Sequence, residues 1–177
     1  KPEAAPSVAR AETPAPKPEP KPKPKPKSTP MAQFSGPPIE LVGLNQGRGH
    51  AAAPVAGRLT ARYGQGEGVM SRGWVYDASA AAEVFAPYDG RIAYAGPFRG
   101  YGNVALIDHG GGYHTLLTGL GEVAVAVGDW VLQGEPLGAL PAADAGRASE
   151  AGRPKLYVEL RKDGEPVDPA PWFARPT

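Results

Sequence analysis

Three histidines are the side chains of this chain best suited to hold a metal or move a proton near neutral pH: His50, His109 and His114. His50 lies in "GRGHAAA", a small-residue run with a flexible look. His109 lies in "IDHGGGY" and reads as a turn histidine that hydrogen-bonds backbone. His114 falls just past that turn, on the next strand, as a surface or groove residue. Asp108 and His109 are neighbours, and on a regular strand their side chains face opposite ways. The chain has no cysteine, so no thiolate can act as nucleophile or ligand. Ser71, Ser79 and Ser149 lack the strand-turn-helix setting of a nucleophile elbow. A zinc hydrolase needs about three protein ligands and an open position for water. These three scattered histidines do not supply that set.

The elements that must position any site begin at Pro54. Short apolar runs recur every 8–12 residues, divided by glycine-rich punctuation: "GRLTARYG", "RGWVYDAS", "EVFAPYDG", "RIAYAG", "NVALIDHGGGYHTLL", "VAVAVGDWVLQGEPLGAL", "KLYVELRKDGEPV". This pattern predicts an all-β fold, a compact antiparallel sheet or sandwich of short strands. Asp-Gly in "YDGR" and "KDGE" predicts hairpin turns. "HGGGY" predicts another turn between strands. Only "DASAAAEV" invites a helix, and it is short. The expected core takes Val104, Leu106 and Ile107 with Val123, Val125, Val127, Val131 and Leu137.

The first 30 of the 177 residues differ in kind. They hold seven Lys/Arg and three Glu, a net +4, and the whole chain sums to +1. "KPEPKPKPKPKSTP" alternates lysine with proline, which favours extended polyproline II. Residues 1–30 are expected to be a disordered, solvated spacer, with attachment to an anionic surface as the sharper reading. Residues 31–53 form a transitional arm, and 54–177 the β domain. A basic tail on a balanced domain gives no nucleic-acid signature. No apolar run reaches 18 residues. A start at Lys1 suggests a fragment or processed product, with any export signal upstream.

Four segments, in order, carry a resemblance. They are "PVAGRLTARYG", "EVFAPYDGRIAYAGPFRGYGNVALIDHGGGYHTLL", "VAVGDWVLQGEPLGAL" and "LYVELRKDGEPVDPAPWF". Together they resemble the lysostaphin/LytM-type zinc peptidases that cut bacterial cell wall. That family draws a histidine and an aspartate from an H-x-G-x-D stretch and a further histidine from H-x-H. A histidine near the end of the central hairpin and the first histidine of H-x-H assist the water. In this chain the matching positions hold Ser71 and Val75, then Gly119, then Lys155 and Tyr157. Valine and glycine offer no side-chain ligand, and a lysine ammonium repels a cation. The expectation is a catalytically inactive relative with no metal and no cofactor.

"RGWVYDASAAAEVFAPYDGRI", "GYGNVALIDHGGGY" and "LYVELRKDGEPVDPAPWF" are more similar to the degenerate LytM domains of EnvC-type murein hydrolase activators. That resemblance implies a periplasmic, Gram-negative protein of cell separation. It would bind a zinc-dependent N-acetylmuramoyl-L-alanine amidase through the former active-site groove and draw an inhibitory helix off its zinc. An upstream coiled coil, absent here, would link it to the division complex. The implied docking residues are Arg72, Val75, Tyr101, Val104, Tyr157 and Arg161. Tyr157 and Arg161 stand four apart on a strand and so share a face. Arg161→Glu is expected to abolish activation without unfolding the domain. The alternative is a peptidoglycan-binding or scaffolding module with no activator role. A lipoyl-type carrier is excluded, because no lysine stands between Lys27 and Lys155 to accept the group.

Overall fold

In "KLYVELRK" every second residue is a large aliphatic, and a strand turns those residues to one face. Leu156, Val158 and Leu160 are each 1% exposed or less and belong to the core. Tyr157, Glu159 and Arg161 therefore look the other way. Among the described residues there are eleven strands. The computed structural model of the protein describes residues 43–65, 72–142 and 152–174. The predicted tail, Ser71 and Ser149 lie outside the described residues.

The strands are β1 (Gly57–Ala61), β2 (Trp74–Ala78), β3 (Glu83–Phe85), β4 (Gly90–Phe98), β5 (Gly102–Asp108), β6 (Tyr113–Leu120), β7 (Glu122–Val123), β8 (Trp130–Val131), β9 (Pro136–Ala139), β10 (Lys155–Lys162) and β11 (Glu165–Val167). An eight-stranded sheet runs β1-β2-β10-β6-β5-β4-β8, with β11 paired to β10. A three-stranded sheet runs β3-β9-β7. All the strand pairings are antiparallel. The expected all-β antiparallel fold is what forms. Among the described residues there is no α-helix, and Leu44–Gln46 form a 3-10 turn.

One face of the large sheet supplies Trp74, Tyr76, Ile92, Ile107, Leu117 and the β10 aliphatics to the core. The small sheet adds Val84 and Leu137. Residues 43–53, the described part of the arm, join this same core. Leu44 is 2% exposed, and its carbonyl accepts a hydrogen bond from Trp172 Nε1 at 3.1 Å. Ala51 bridges to Phe173. Trp172 and Phe173 thus clamp the arm to the core face.

Several local expectations change. "DASAAAEV" is no helix: it ends β2, turns through Ala81 at φ 57°, and starts β3. Asp89-Gly90 closes no hairpin, since β3 pairs with β9 while β4 pairs with β5 and β8. It carries the chain from the small sheet to the large one. A Cβ on Gly90 would sit 2.6 Å from the Asp108 carbonyl oxygen, so the crossing needs glycine. Asp163-Gly164 does form the predicted turn, with Lys162 opposite Glu165 and both turn residues at positive φ. Of the expected core, Ile107, Val131 and Leu137 are in it, and Val123 and Val125 pack against it. Val127 is 62% exposed. Val104 and Leu106 lie outside the core cluster, because the alternation of β5 sends Ala105 and Ile107 inward instead.

Candidate docking groove

The face of the large sheet turned away from the core carries the groove. Cross-strand pairing sets side chains in rows over it, because directly opposed residues point to the same face. The first row is Val75, Tyr157, Thr118 and Val104, from β2, β10, β6 and β5. The second is Glu159, Leu116, Leu106 and Tyr94, ending on β4. The third is Arg161, His114, Asp108 and Arg91. The first two rows are mostly apolar. The third is polar, with arginines at its two ends and His114 Nε2 3.8 Å from Asp108 Oδ1 between them.

The first two rows without Val75, the tip of the β4–β5 hairpin and Arg161 line a cavity of about 340 Å³. Its apolar wall is Tyr94, Phe98, Tyr101, Val104, Leu106 and Leu116. Thr118, Tyr157, Glu159 and Arg161 supply the polar side. Phe98 stacks edge-on against Tyr94 and tilts against Tyr101, each pair at 5.9 Å between ring centroids. Phe98 and Tyr101 remain 53% and 43% exposed, an aromatic pair open to solvent at the cavity mouth. The Tyr94 hydroxyl donates to the Pro97 carbonyl at 2.6 Å, which ties the hairpin tip to its own strand.

Glu159 is the buried charge of the site, 1% exposed. The Tyr157 hydroxyl donates to its Oε2 at 2.6 Å. Arg161 Nε donates to its Oε1. A buried carboxylate is tolerated when it is paired and hydrogen-bonded in this way. Burial, then the hydrogen bond and charge of Glu159, push the Tyr157 phenol well above its ordinary range, while Arg161 and Arg72 pull it down. Tyr157 is therefore a neutral donor at any physiological pH.

Tyr101, Val104, Tyr157 and Arg161 of the expected docking set meet in this one cavity. Val75 is 4% exposed, opposite Tyr157 at the end of the first row, outside the cavity lining. Arg72 is exposed, and its charge acts on Tyr157. The sequence reading missed Tyr94, Phe98, Leu106, Leu116, Thr118 and Glu159, and had placed Leu106 in the core. Glu159 was within reach, since it sits between two residues already assigned to one face. Tyr94 was not, because a register shift between Ile92 and Tyr94 resets the alternation of β4.

The matched metal positions do not fit a zinc ion. Val75 and Gly119 have no donor, and the Tyr157 hydroxyl is committed to Glu159. Lys155 is exposed and stands opposite Asp77 on β2. Gly119 has φ 93°, and a Cβ there would lie 2.4 Å from the Lys155 carbonyl oxygen. A histidine cannot occupy that position without moving β10. Among the described residues, no three His, Cys, Asp or Glu side chains gather closely enough to hold a metal. His109 lies on the core side, 3% exposed. Its Nδ1 sits 2.7 Å from the Asp89 carbonyl oxygen and its Nε2 2.8 Å from Thr115 Oγ1. The carbonyl can only accept, so Nδ1 carries the proton and Nε2 accepts from Thr115. Burial first of all depresses this imidazole to a pKa of about 4.

A model of peptidase family M23 matches residues 69–169. The chain belongs to peptidase family M23. The chain is 40% identical over 136 residues to murein hydrolase activator EnvC of Escherichia coli, covering 75% of this chain and 31% of EnvC. It is 33% identical over 141 residues to cell division protein DipM of Caulobacter vibrioides, covering 75% of this chain and 22% of DipM. The chain thus spans less than a third of either relative. Among solved structures, the M23 peptidase lysostaphin of Staphylococcus simulans superposes with a TM-score of 0.55 at 22% identity, over 68% of this chain and 55% of that one. At that identity the likeness establishes the fold.

Proposed function

We propose that this M23 domain is a non-catalytic activator of N-acetylmuramoyl-L-alanine amidases, acting on peptidoglycan in the Gram-negative periplasm during cell separation. The observation that carries the reading is what stands at the former metal positions. Valine, glycine, tyrosine and lysine replace the ligands, while the strand frame and an open groove remain. The names of the relatives, a murein hydrolase activator and a cell division protein, support the same direction.

The groove suits a helical segment of a partner. An apolar stripe on such a helix would fill the wall between Tyr94 and Leu116, and Tyr101, Tyr157 and Arg161 would act as anchors. Activation then rests on a coupling free energy: docking here stabilises the partner state in which its own zinc site is open. Arg72 and Val75 extend the docking surface beyond the cavity.

Dye release from labelled sacculi tests this, with the protein alone, a periplasmic zinc amidase alone, and both together. Release only from the mixture is the expected result. Release by this protein alone, abolished by a chelator, would overturn the non-catalytic reading. No release from a mixture holding a competent amidase, with the protein sedimenting on sacculi, would replace the activator by a peptidoglycan-binding module.

A further inference from the structure

Glu159 touches both groups that the docking reading uses as anchors. Its two carboxylate oxygens are divided between them: Oε2 takes the Tyr157 hydroxyl, and Oε1 takes Arg161 Nε. The three side chains are alternate residues on one face of β10, with the carboxylate in the middle. Glu159 is almost wholly buried, whereas the Arg161 side chain is 39% exposed. An exposed arginine ordinarily samples many rotamers and loses that freedom on binding. Here a charge-assisted bond fixes its Nε edge. Among the described residues, Arg161 has no other hydrogen-bond or ion-pair partner, so its Nη groups remain available at the cavity.

The geometry points to Glu159 as the positioning residue of the docking groove, a buried carboxylate that pre-sets Tyr157 and Arg161 in their binding geometry before any partner arrives. This rests on the docking reading above. Glu159 itself need not touch the partner. It acts through its two neighbours, as a support residue acts on a binding constellation. The chemistry also explains why the middle residue is an acid. A leucine here would fill the space but leave the phenol without that acceptor and the guanidinium without its tether.

Two measurements test it. The first needs no partner. The Nε–Hε correlation of Arg161 in a nitrogen-15 spectrum reads its tether directly. It is expected to be shifted and slow to exchange in the native protein. It should collapse to the position of a solvated arginine in Glu159→Leu, and survive in Glu159→Gln, whose amide oxygen still accepts. An Arg161 signal unchanged in folded Glu159→Leu would overturn the proposal while leaving the docking reading intact. The second is a double-mutant cycle on the dissociation constant for a purified amidase. Glu159→Leu alone should weaken binding about tenfold, from the ordering cost restored to two side chains. In the Arg161→Ala background the same change should cost twofold or less, because the residue it acts through is gone. Equal losses in both backgrounds would overturn the positioning role. A collapsed Arg161 signal with native affinity in all variants would remove the docking reading, and this proposal with it.

Discussion

Val75 of β2 and Tyr157 of β10, both matched to metal positions in the sequence comparison, stand directly opposite each other on the sheet. Val75 is 4% exposed and Tyr157 also 4%. Both side chains are part of a packed surface.

That relationship predicts the effect of writing a ligand back. Val75→Asp puts a carboxylate where the side chain is 4% exposed, at a cost of about 3 kcal/mol. The melting temperature should fall, and zinc should not restore it, since Gly119 and Tyr157 supply no companion ligands. Thermal melts with and without zinc are the check. A zinc-dependent recovery would contradict the unfit donor set.

From sequence alone, Arg161→Glu is expected to spare the fold. Glu159 changes that expectation. The substitution removes the cation paired with a buried carboxylate and adds a second acid two residues along the same face. It should lose activation and also about 3 kcal/mol of stability. The same change made together with Glu159→Gln should lose activation with most of the stability regained. Urea unfolding midpoints, read beside dye release, separate the two effects.

Phe98 and Tyr101 are exposed, so truncating them should cost little stability, about 0.5 kcal/mol or less. As aromatic anchors at the cavity mouth they should matter far more to docking. Phe98→Ala with Tyr101→Ala is expected to weaken amidase binding roughly tenfold or more. Native affinity in a native-like melt would move the docking surface elsewhere.

Gly119 is held at φ 93° against the Lys155 carbonyl. Gly119→Ala combines a left-handed backbone with a clash against main chain, and should destabilise by about 3 kcal/mol. Restoring histidine there should be worse. Denaturant unfolding of both variants tests the order.

His109 makes stability depend on pH. Its folded pKa, about 4, lies below the ordinary 6.5. The unfolded chain therefore binds the proton more readily, and stability falls as pH drops from about 6.5 to 4. The full effect is roughly 3 kcal/mol, present above the upper value and lost below the lower one. His109→Asn should be less stable at pH 7 yet show a shallower fall over that window. Unfolding midpoints from pH 7.5 to 4 would reveal it, and parallel slopes for both proteins would deny histidine the role.

The residues alone determined the β class, since the spacing of short apolar runs and the Asp163-Gly164 turn follow from local preferences. They also determined which groups are missing, because a valine or glycine lacks a ligand in any fold. Alternation by itself puts Tyr157 and Arg161 on one face. What alternation did not decide was which face of β5 is the core. Val104 and Leu106 are as apolar as Ala105 and Ile107, and a strand apolar on both faces carries no polar marker of its phase. The three-stranded sheet settles it by packing against one face and leaving the other open. The register shift in β4 brings Tyr94 to the groove, and cross-strand pairing assembles rows from residues up to 82 positions apart, Val75 and Tyr157 among them. Glu159 reads in sequence as one charge among many. Only burial between a phenol and a guanidinium makes it the centre of the site.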